Sequence, residues 1–426
     1  MKLVVEKTEK LEGEITIPGS KSHTIRAVII ASLAEGISKI KNPLKSDDTM
    51  AAVNACTAFG AKINTDNESE WVISGFNHNP QKPEGVINMM NSGTSLRLIS
   101  GVIAALCDFE IELDGDASLR ARPMQPLLKS LNQLGAEAVS VSNNGYCPIK
   151  IKGKMIGGDT EVVGMSSQYI SSLLIACPLL EEDTEIRVVK PNEIPYIRIT
   201  MKWLDEQGIK YEVSEDFTKF KVFGKQRYKS FEKSIPADWS SAAFPLVGAA
   251  IVPSNVLLKG LDINDVQGDK AIIDYLKKMD ADVSIEGDGI RIKGKALKGC
   301  ELDLNATPDA LPALAVLGCF AEGTTVLFNV PQARIKETDR IKVMTEELER
   351  MGADIKERDE GLIIHKSELK GNKVRGHSDH RIVMALSLAG MISTGKTEIT
   401  TAESIGVTFP DYAKSMKALG AKIEVV

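Results

Sequence analysis

Met351-Gly352-Ala353 ends an amphipathic segment, Glu337–Met351 (ETDRIKVMTEELERM), and stands directly before a run with strand character. The same step recurs along the chain at intervals of 68 to 75 residues. Glycine suits it, because the residue that closes a helix before a strand commonly adopts the left-handed conformation, which aspartate also tolerates. The other copies are Phe59-Gly60-Ala61, Leu134-Gly135-Ala136, Gln207-Gly208-Ile209, Met279-Asp280-Ala281 and Leu419-Gly420-Ala421.

Each step belongs to a larger repeated unit. Every unit has an earlier helical segment that is apolar nearly all round, which predicts a helix buried on most sides. A β-hairpin follows the step, most clearly at Asp282–Lys293 (DVSIEGDGIRIK), where Gly287-Asp288-Gly289 is a turn signal. The unit is therefore strand–helix–strand–helix–hairpin, a βαβαββ type. The predicted buried helices are Thr24–Ala34, Ser95–Leu106, Tyr169–Leu180, Ser241–Ile251, Ala310–Phe320 and Arg381–Met391.

The chain ends indicate how the units are grouped. The sixth unit stops at Val426 after one strand of its hairpin, whereas Lys2–Lys7 and Glu12–Ile17 are strands without a unit of their own. The N-terminal segment is therefore expected to complete the last unit, with crossings near Pro18-Gly19-Ser20 and Ser234–Ala237. This predicts an α/β protein of two domains with three units each, residues 20–235 and residues 1–19 plus 236–426, with the active site in the cleft between them.

Composition argues against several classes of protein. The 426 residues are 43% apolar and 26% charged, as in ordinary globular chains. The longest apolar runs, such as Ala242–Pro253, are shorter than the roughly 20 residues of a membrane helix. The charged start Met1–Lys10 is unlike a signal peptide, so a cytoplasmic location is expected. The net charge of −6 argues against nucleic-acid binding, and the six cysteines form no CxxC pair that would suggest zinc or disulfides.

The loop that enters each buried helix is rich in Ser, Thr, Asn or Asp. Helix capping explains these residues in any single loop. Six such loops together, on parallel buried helices, would direct several positive helix N-termini toward anions. The loops are Pro18–Thr24, Asn91–Ser95, Gly164–Gln168, Pro236–Ser241, Asn305–Asp309 and Gly376–His380.

Basic residues accompany these loops. Lys336 and Arg340 are four residues apart, which predicts a shared helix face with Glu337 beside them. An arginine at the head of an apolar helix needs an anionic partner, because burying its charge unpaired is costly. Phosphate and carboxylate groups fit that need. The other cations are Lys21 and Arg26 beside the first loop, Arg97 inside the second helix, Arg120 and Arg122 before Pro123, and Arg381 at the head of the sixth helix.

Two familiar motifs are not matched. Gly19-Ser-Lys-Ser22 is not a P-loop, because the two glycines of that motif would fall at Ile15 and Ser20. His377 and His380 have no metal-ligand pattern around them. We therefore predict neither a nucleotide-binding P-loop nor a metal site.

Eight short motifs, spread over essentially the whole chain, occur together in one known family. They are Pro18–Ser22 with Arg26, Asn91–Thr94 with Arg97, Arg122-Pro123, Ser166–Gln168, Pro308-Asp309, Lys336–Arg340, Asp379–Arg381 and Thr408–Tyr412. In these motifs the chain resembles the 5-enolpyruvylshikimate-3-phosphate (EPSP) synthase family. The resemblance implies the two-domain inverse α/β barrel of the enolpyruvyl transferases. It also implies transfer of the enolpyruvyl group of phosphoenolpyruvate to the 5-hydroxyl of shikimate 3-phosphate, with release of phosphate, on the shikimate pathway to chorismate and aromatic amino acids.

The resemblance also implies the roles of individual residues. Asp309 is the implied general base, and Glu337 and Lys21 are the candidate proton donors. Neither a metal nor a cofactor is implied, because lysines and arginines stabilise the charge. The chain is expected to act as a monomer on small molecules, with glyphosate competing beside Gly93. The implied ligands of shikimate 3-phosphate are Lys21, Ser22, Arg26, Ser166, Ser167, Gln168, Asp309, Gln332 and Lys336; those of phosphoenolpyruvate are Lys21, Gly93, Arg122, Gln168, Arg340 and Arg381.

The sequence departs from the family pattern at three positions. Glu193 stands where the family often has a serine that contacts the shikimate phosphate. Because a glutamate repels phosphate, Glu193 is expected to point away, or else the alignment slips there. Val407 replaces a lysine that contacts phosphoenolpyruvate in many members, so one cation is missing. Gln332 replaces an asparagine, a tolerable exchange.

Two alternatives remain open. The UDP-N-acetylglucosamine enolpyruvyl transferase family has the same fold and donor, but it carries a cysteine in the loop that here is Asp114–Arg122, without cysteine. A non-catalytic anion-binding relative would have no chemical need of Asp309 and Glu337 together. Both features favour the shikimate enzyme family.

Overall fold

The computed structural model describes all 426 residues, which divide into two compact units. The first, here the continuous unit, is Gly19–Ile235. The second, here the split unit, combines Met1–Pro18 with Pro236–Val426. Each unit contains three four-stranded sheets. No helix is both long and apolar enough to span a bilayer.

The helices occur in the order that the repeats predict. Short 3₁₀ helices lie at Cys177–Leu179, Gly268–Ala271, Pro308–Ala310, Pro331–Ile335 and Ala402–Val407. The α-helices are α1 (Lys21–Leu33), α2 (Asp47–Ala58), α3 (Gly93–Leu106), α4 (Ala117–Arg120), α5 (Gln125–Gln133), α6 (Ser167–Ala176), α7 (Ile194–Gln207), α8 (Trp239–Ile251), α9 (Ile272–Lys278), α10 (Leu311–Phe320), α11 (Arg340–Arg350), α12 (His380–Ile392) and α13 (Tyr412–Ala418).

The strands are short and evenly distributed. They are β1 (Lys2–Glu6), β2 (Leu11–Thr16), β3 (Ile37–Lys41), β4 (Lys62–Asn64), β5 (Glu70–Ser74), β6 (Ile87–Asn88), β7 (Ile111–Asp114), β8 (Glu137–Ser140), β9 (Ile149–Lys152), β10 (Gly158–Val163), β11 (Thr184–Val189), β12 (Tyr211–Val213), β13 (Lys219–Val222), β14 (Glu232–Ser234), β15 (Ser254–Lys259), β16 (Asp282–Glu286), β17 (Gly289–Lys293), β18 (Glu301–Asp303), β19 (Thr324–Phe328), β20 (Asp354–Arg358), β21 (Gly361–His365), β22 (Lys373–Val374), β23 (Lys396–Thr400) and β24 (Ile423–Val425).

Five of the six sheets combine a parallel pair with an antiparallel hairpin. In one of them, β18 and β19, which precede and follow α10 in the sequence, pair in parallel, and β21 pairs antiparallel with both β19 and β20. The hairpin predicted at Asp282–Lys293 is β16–β17. The six strand orders are β14-β3-β5-β4, β6-β7-β9-β8, β10-β11-β13-β12, β16-β17-β15-β2, β18-β19-β21-β20 and β22-β23-β1-β24.

The remaining sheet shows how the chain ends are joined. In it, β1 lies between β23 and β24 and is antiparallel to both. The N-terminal strand thus supplies the missing strand of the last hairpin, as predicted. Strands that are far apart in the sequence also pair where the chain leaves each unit. The last strand of the continuous unit, β14, pairs in parallel with β3, and β2, just before the chain leaves the split unit, pairs in parallel with β15.

The repeated step has the predicted backbone conformation. All six residues have positive φ, which is rare for side chains other than glycine. Aspartate replaces glycine once and keeps the same conformation. The φ values are +102° at Gly60, +110° at Gly135, +70° at Gly208, +67° at Asp280, +92° at Gly352 and +106° at Gly420.

The first helix of each unit is buried, as its all-round apolar pattern predicts. Every residue of α8 is buried, and α8, α10 and α12 pack against one another in the split unit. In the continuous unit, α3 packs against α6 and α1. In each unit, candidate site residues lie at the N-termini of these helices.

Leu314 in the middle of α10 is fully buried, so Leu314→Ala is expected to lower the free energy of unfolding by about 3 kcal/mol through lost burial and an unfilled cavity. Urea denaturation measures the change. Ile285→Ala is the matched control, because Ile285 is 51% exposed and should cost well under half as much. Equal losses would contradict the assignment of α10 to the core.

One local prediction is wrong. The helix expected to begin at Glu337 begins at Arg340, because the side chain of Asp339 accepts a hydrogen bond from the Lys342 amide (3.1 Å) and caps the helix there. Lys336 follows the 3₁₀ helix Pro331–Ile335 instead. Lys336 and Arg340 therefore do not share a helix face.

Candidate active site

Five of the six buried helices begin at a capping side chain. α10 is the exception, because it follows the 3₁₀ helix Pro308–Ala310 and has no side-chain cap. Capping thus accounts for many of the polar residues in the loops, and an anion site must be argued from the charged groups around them. The capping residues are Ser20, Ser92, Ser166, Asp238 and Asp379.

Lys21 joins the starts of three helices in the continuous unit. Its Nζ lies 2.9 Å from Oδ2 of Asp48, in the first turn of α2, and both side chains are largely buried. The backbone carbonyl of Asp48 accepts a hydrogen bond from Ser95 Oγ in α3 (3.0 Å). The first turns of α1, α2 and α3 are therefore fixed to one another, with an ammonium group among them.

Gln168 connects α6 to α3. Its Nε2 donates to Thr94 Oγ1 (3.0 Å), and its Oε1 accepts from Arg97. Arg97 also donates to the Pro123 carbonyl (3.2 Å) and stacks over the ring of Tyr169. All these partners of Arg97 are neutral, and the residue is 5% exposed, so its positive charge has no carboxylate in contact.

Gly93 begins α3 directly against two guanidinium groups. A Cβ atom at this position would lie 3.0 Å from Nη1 of Arg122 and 3.2 Å from Nη1 of Arg97. Arg122 donates to Asn91 Oδ1 (2.7 Å) and Ser118 Oγ (3.0 Å). Because Gly93 has no side chain, both guanidinium groups can lie next to the N-terminus of α3. This combination of positive groups favours the binding of an anion.

Arg26, in α1, is 1% exposed. It donates to Thr200 Oγ1 (2.8 Å), the Ser22 carbonyl (3.0 Å), Ser171 Oγ (3.3 Å) and the Tyr196 carbonyl (3.3 Å). Burial lowers the pKa of Arg26 to about 10, so it stays charged at neutral pH. It therefore holds α1, α6 and α7 together and places a buried positive charge at their contact.

Asp309 is the centre of the charged cluster in the split unit. Its Oδ1 lies 2.7 Å from Nη1 of Arg340 and its Oδ2 lies 3.0 Å from Nη2 of Arg381. Burial by itself raises the pKa of Asp309, but the charges of Arg381, Lys336 and Arg340 outweigh it and hold the pKa well below its usual range. The carboxylate is therefore ionised.

Arg340 is surrounded by carboxylates. Besides Asp309, it donates to Glu337 Oε2 (2.6 Å) and to Asp379 Oδ2 (2.8 Å), and its side chain is 1% exposed. Burial lowers the pKa of Arg340, but these three carboxylates raise it above its ordinary value. Arg381 also donates to the Ser240 carbonyl (3.4 Å). The implied base, one implied acid and two implied phosphoenolpyruvate ligands thus form one connected cluster.

Gln332 is 3% exposed in the 3₁₀ helix Pro331–Ile335. Its Nε2 donates to the Asn305 carbonyl (2.8 Å), and its Oε1 has no hydrogen-bond partner. A buried amide oxygen without a partner is unusual in a folded protein. It is a candidate acceptor for a substrate hydroxyl.

Comparison with known proteins shows the family of the chain. A family model for EPSP synthase (3-phosphoshikimate 1-carboxyvinyltransferase) matches residues 5–416. The chain belongs to the EPSP synthase family. The 3-phosphoshikimate 1-carboxyvinyltransferase of Acetivibrio thermocellus is 52% identical over 424 residues, 99% of each chain. That of Ruminiclostridium cellulolyticum is 49% identical over 426 residues, the whole of both chains.

Solved structures agree as well. A structure of EPSP synthase from Acinetobacter baumannii has a TM-score of 0.85 at 30% identity, covering 100% of this chain and 99% of that one. The predicted family and the predicted fold, a two-domain inverse α/β barrel with six repeats, are confirmed.

Of the two expectations for Glu193, the first, that it points away, is wrong, and the second, that the alignment slips there, stays untested. Its Oε2 accepts hydrogen bonds from the amide (3.1 Å) and from Oγ (2.8 Å) of Ser167, at the start of α6. Glu193 is 2% exposed. The local backbone explains the orientation, because Glu193 has left-handed φ and ψ of +54° and +39° and precedes α7, whose first turn contains Pro195.

Two carboxylates of the clusters were not predicted as site residues. Asp48 was not expected as the partner of Lys21, although Ser46–Thr49 has the pattern of a capped helix start, and the Ser46 and Thr49 side chains form that cap. Asp379 was noticed only as part of a motif.

Proposed function

We propose that this chain transfers the enolpyruvyl group of phosphoenolpyruvate to the 5-hydroxyl of shikimate 3-phosphate. A new bond forms between the 5-oxygen and C2 of phosphoenolpyruvate. The C2–O bond to phosphate breaks, and inorganic phosphate leaves. Between these events the methylene carbon gains one proton and then loses one. The geometry that best supports the proposal is the contact of Asp309 with both Arg340 and Arg381.

Asp309 would act as the base that takes the hydroxyl proton. Its ionised state suits that role, but a strongly lowered pKa makes it a weak base. Substrate anions on Arg340 and Arg381 would draw those cations' charge away from Asp309. Its pKa would then rise toward the value a base needs. Binding of phosphoenolpyruvate would thus make Asp309 a stronger base toward the 5-hydroxyl of shikimate 3-phosphate.

Either Lys21 or Glu337 would deliver the proton to the methylene carbon. Lys21 would give it as an ammonium group, whereas Glu337 would first have to be protonated, because its contact with Arg340 favours the carboxylate. Glu337 is held 2.6 Å from Arg340, and Lys21 lies 2.9 Å from Asp48. The cations would stabilise charge that develops as phosphate leaves. Because Lys21 belongs to the continuous unit and Arg340 to the split unit, residues of both units are assigned to the same substrate pair.

The remaining roles follow the two clusters. We propose that the chain acts as a cytoplasmic monomer. Shikimate 3-phosphate would be bound by Lys21, Ser22, Arg26, Ser166, Ser167, Gln168, Asp309, Gln332 and Lys336. Phosphoenolpyruvate would be bound by Lys21, Gly93, Arg122, Gln168, Arg340 and Arg381.

The role of Asp309 can be tested by titrating its carboxyl group. A lowered pKa keeps the carboxylate ionised until the pH falls below the ordinary aspartate value of about 3.9. Adding phosphoenolpyruvate together with shikimate should move the titration of the Asp309 carboxyl group to higher pH. Carboxyl-carbon NMR of ¹³C-labelled aspartate measures this titration, and the signal that is lost in Asp309→Asn is the signal of Asp309. A titration that stays in place, or that moves to lower pH, would contradict the coupling.

Gly93→Ala is expected to raise the KM for phosphoenolpyruvate by about tenfold, the effect of one weakened charge-assisted contact. The added Cβ would press on Arg122 and Arg97, while the affinity for shikimate 3-phosphate should change little. Glyphosate inhibition should weaken in the same variant. Initial-rate kinetics measures all three, with Gly287→Ala, in the turn between β16 and β17, as a control. An unchanged KM would remove Gly93 from the donor site.

The reaction itself is tested by proton NMR of the products. Incubation with both substrates should give new vinyl proton signals of an enolpyruvyl ether. In D₂O, deuterium should appear at that methylene group, because the carbon gains a solvent proton before losing one. A product whose methylene carbon acquires no deuterium would contradict the proton transfers proposed here.

A further inference from the structure

The first turn of α6 already binds an anion from its own chain. The amide and the hydroxyl of Ser167 both donate to the same oxygen of Glu193, at 3.1 and 2.8 Å. An amide has a single hydrogen, so it cannot serve this carboxylate and a second anion fully at the same time. Any ligand anion that uses Ser167 must displace Glu193.

The loop before α7 aims the carboxylate at this position. Lys190 and Glu193 both have left-handed backbone conformations, with φ of +52° and +54°. Asn192 holds the loop between them, because its Nδ2 donates to the carbonyls of Gly164 (3.0 Å) and Lys190 (3.2 Å). The orientation of Glu193 is therefore maintained by the loop's own hydrogen bonds.

Helix capping alone does not require this arrangement. Ser166 is the N-cap of α6, and its side chain already accepts a hydrogen bond from the Gln168 amide. Glu193 adds a buried charge to a helix start that a neutral residue already caps. Its position next to the helix N-terminus is electrostatically favourable, as it would be for any other anion.

We propose that Glu193 is an internal competitor for the phosphate of shikimate 3-phosphate and sets the affinity of this chain for that substrate. This inference rests on the proposed function, which assigns Ser166, Ser167 and Gln168 to shikimate 3-phosphate. A phosphate ester carries between one and two negative charges at neutral pH. The carboxylate must leave Ser167 before the phosphate takes its hydrogen bonds, and like-charge repulsion favours its departure.

Glu193→Gln tests the competition, because it removes the charge and keeps the shape and the acceptor oxygen. The KM for shikimate 3-phosphate is expected to fall about tenfold, the effect of one charge-assisted contact that no longer has to be broken. The KM for phosphoenolpyruvate should change much less. Glu193→Ser should also lower the first KM. Glu185→Gln is the matched control, because Glu185 is an exposed glutamate of the same unit and should change neither value.

Isothermal titration with inorganic phosphate gives a second readout that does not need turnover. Phosphate should bind Glu193→Gln about tenfold more tightly than it binds the unmodified chain. A purely structural role for Glu193 would lower the melting temperature without improving either affinity. An unchanged or weaker affinity for phosphate and shikimate 3-phosphate in the variant would overturn the proposal.

The unmodified chain keeps the proposal testable if the variants do not fold. A crystal structure with shikimate 3-phosphate should show a phosphate oxygen on the Ser167 amide and the Glu193 carboxylate displaced. A carboxylate still bonded to Ser167 beside the bound substrate would overturn the proposal. Absence of enolpyruvyl transfer with tighter phosphate binding in Glu193→Gln would count against the proposed function and not against the competition.

Discussion

Asp309→Ala is expected to reduce kcat by about a thousandfold, which is within the usual contribution of a general base. The carboxylate contacts Arg340 and Arg381 at 2.7 and 3.0 Å, so it lies where a base beside bound anions is needed. Phosphoenolpyruvate should still bind, and more tightly than before, because both cations lose a competing carboxylate. Steady-state kinetics and isothermal titration measure the two effects.

Asp303→Asn is the control for Asp309. Asp303 is an exposed carboxylate of the same unit whose oxygens accept from Asn329, and its replacement should leave kcat within about twofold, as is usual for a surface substitution. Arg340 keeps Glu337 and Asp379 as partners in the Asp309 variant, so the cluster should remain folded. A variant with near-normal turnover would show that another group takes the hydroxyl proton.

Lys21→Met is expected to lower kcat/KM by about a thousandfold for both substrates. Removing the cation from a buried pair of Lys21 with a substrate anion should cost about 2–5 kcal/mol of binding free energy. Methionine has a similar length and removes only the charge. Both kcat and the two KM values should change, because the proposal gives Lys21 a role in binding and in proton delivery. Initial-rate kinetics at varied concentrations of each substrate separates these effects.

The substitution also leaves the carboxylate of Asp48 without its 2.9 Å partner. The double variant Lys21→Met with Asp48→Asn removes that cost, so it should recover stability but not activity. Lys45→Met is the matched control, because Lys45 is 44% exposed beside Glu68. Normal kinetics in Lys21→Met would remove Lys21 from the site, and recovered activity in the double variant would show that its role is structural.

The sequence was sufficient for the repeat architecture because the signals are local. A positive φ at Gly352 or Asp280 follows from the one or two residue types that tolerate it, and an all-apolar segment such as α8 can only be buried. The last repeat has only one strand of its hairpin, β24, and the pairing of β1 with β24 supplies the second. These features depend on composition and spacing along the chain.

The arrangement of the side chains within the site was harder to predict. The early start expected for α11 failed because Asp339 caps a later turn, which moves Lys336 out of the helix. Glu193 was expected to point away or to mark a slipped alignment, yet two donors on Ser167 bind its carboxylate and its own backbone is left-handed. A sequence shows that a charge is present, but its partner depends on tertiary contacts.

The most direct test measures phosphate release from phosphoenolpyruvate with two different acceptors. Phosphate should be released steadily with shikimate 3-phosphate and not above background with UDP-N-acetylglucosamine. Release with the nucleotide sugar instead, or release with neither acceptor by a folded chain, would contradict the proposed enolpyruvyl transfer to shikimate 3-phosphate.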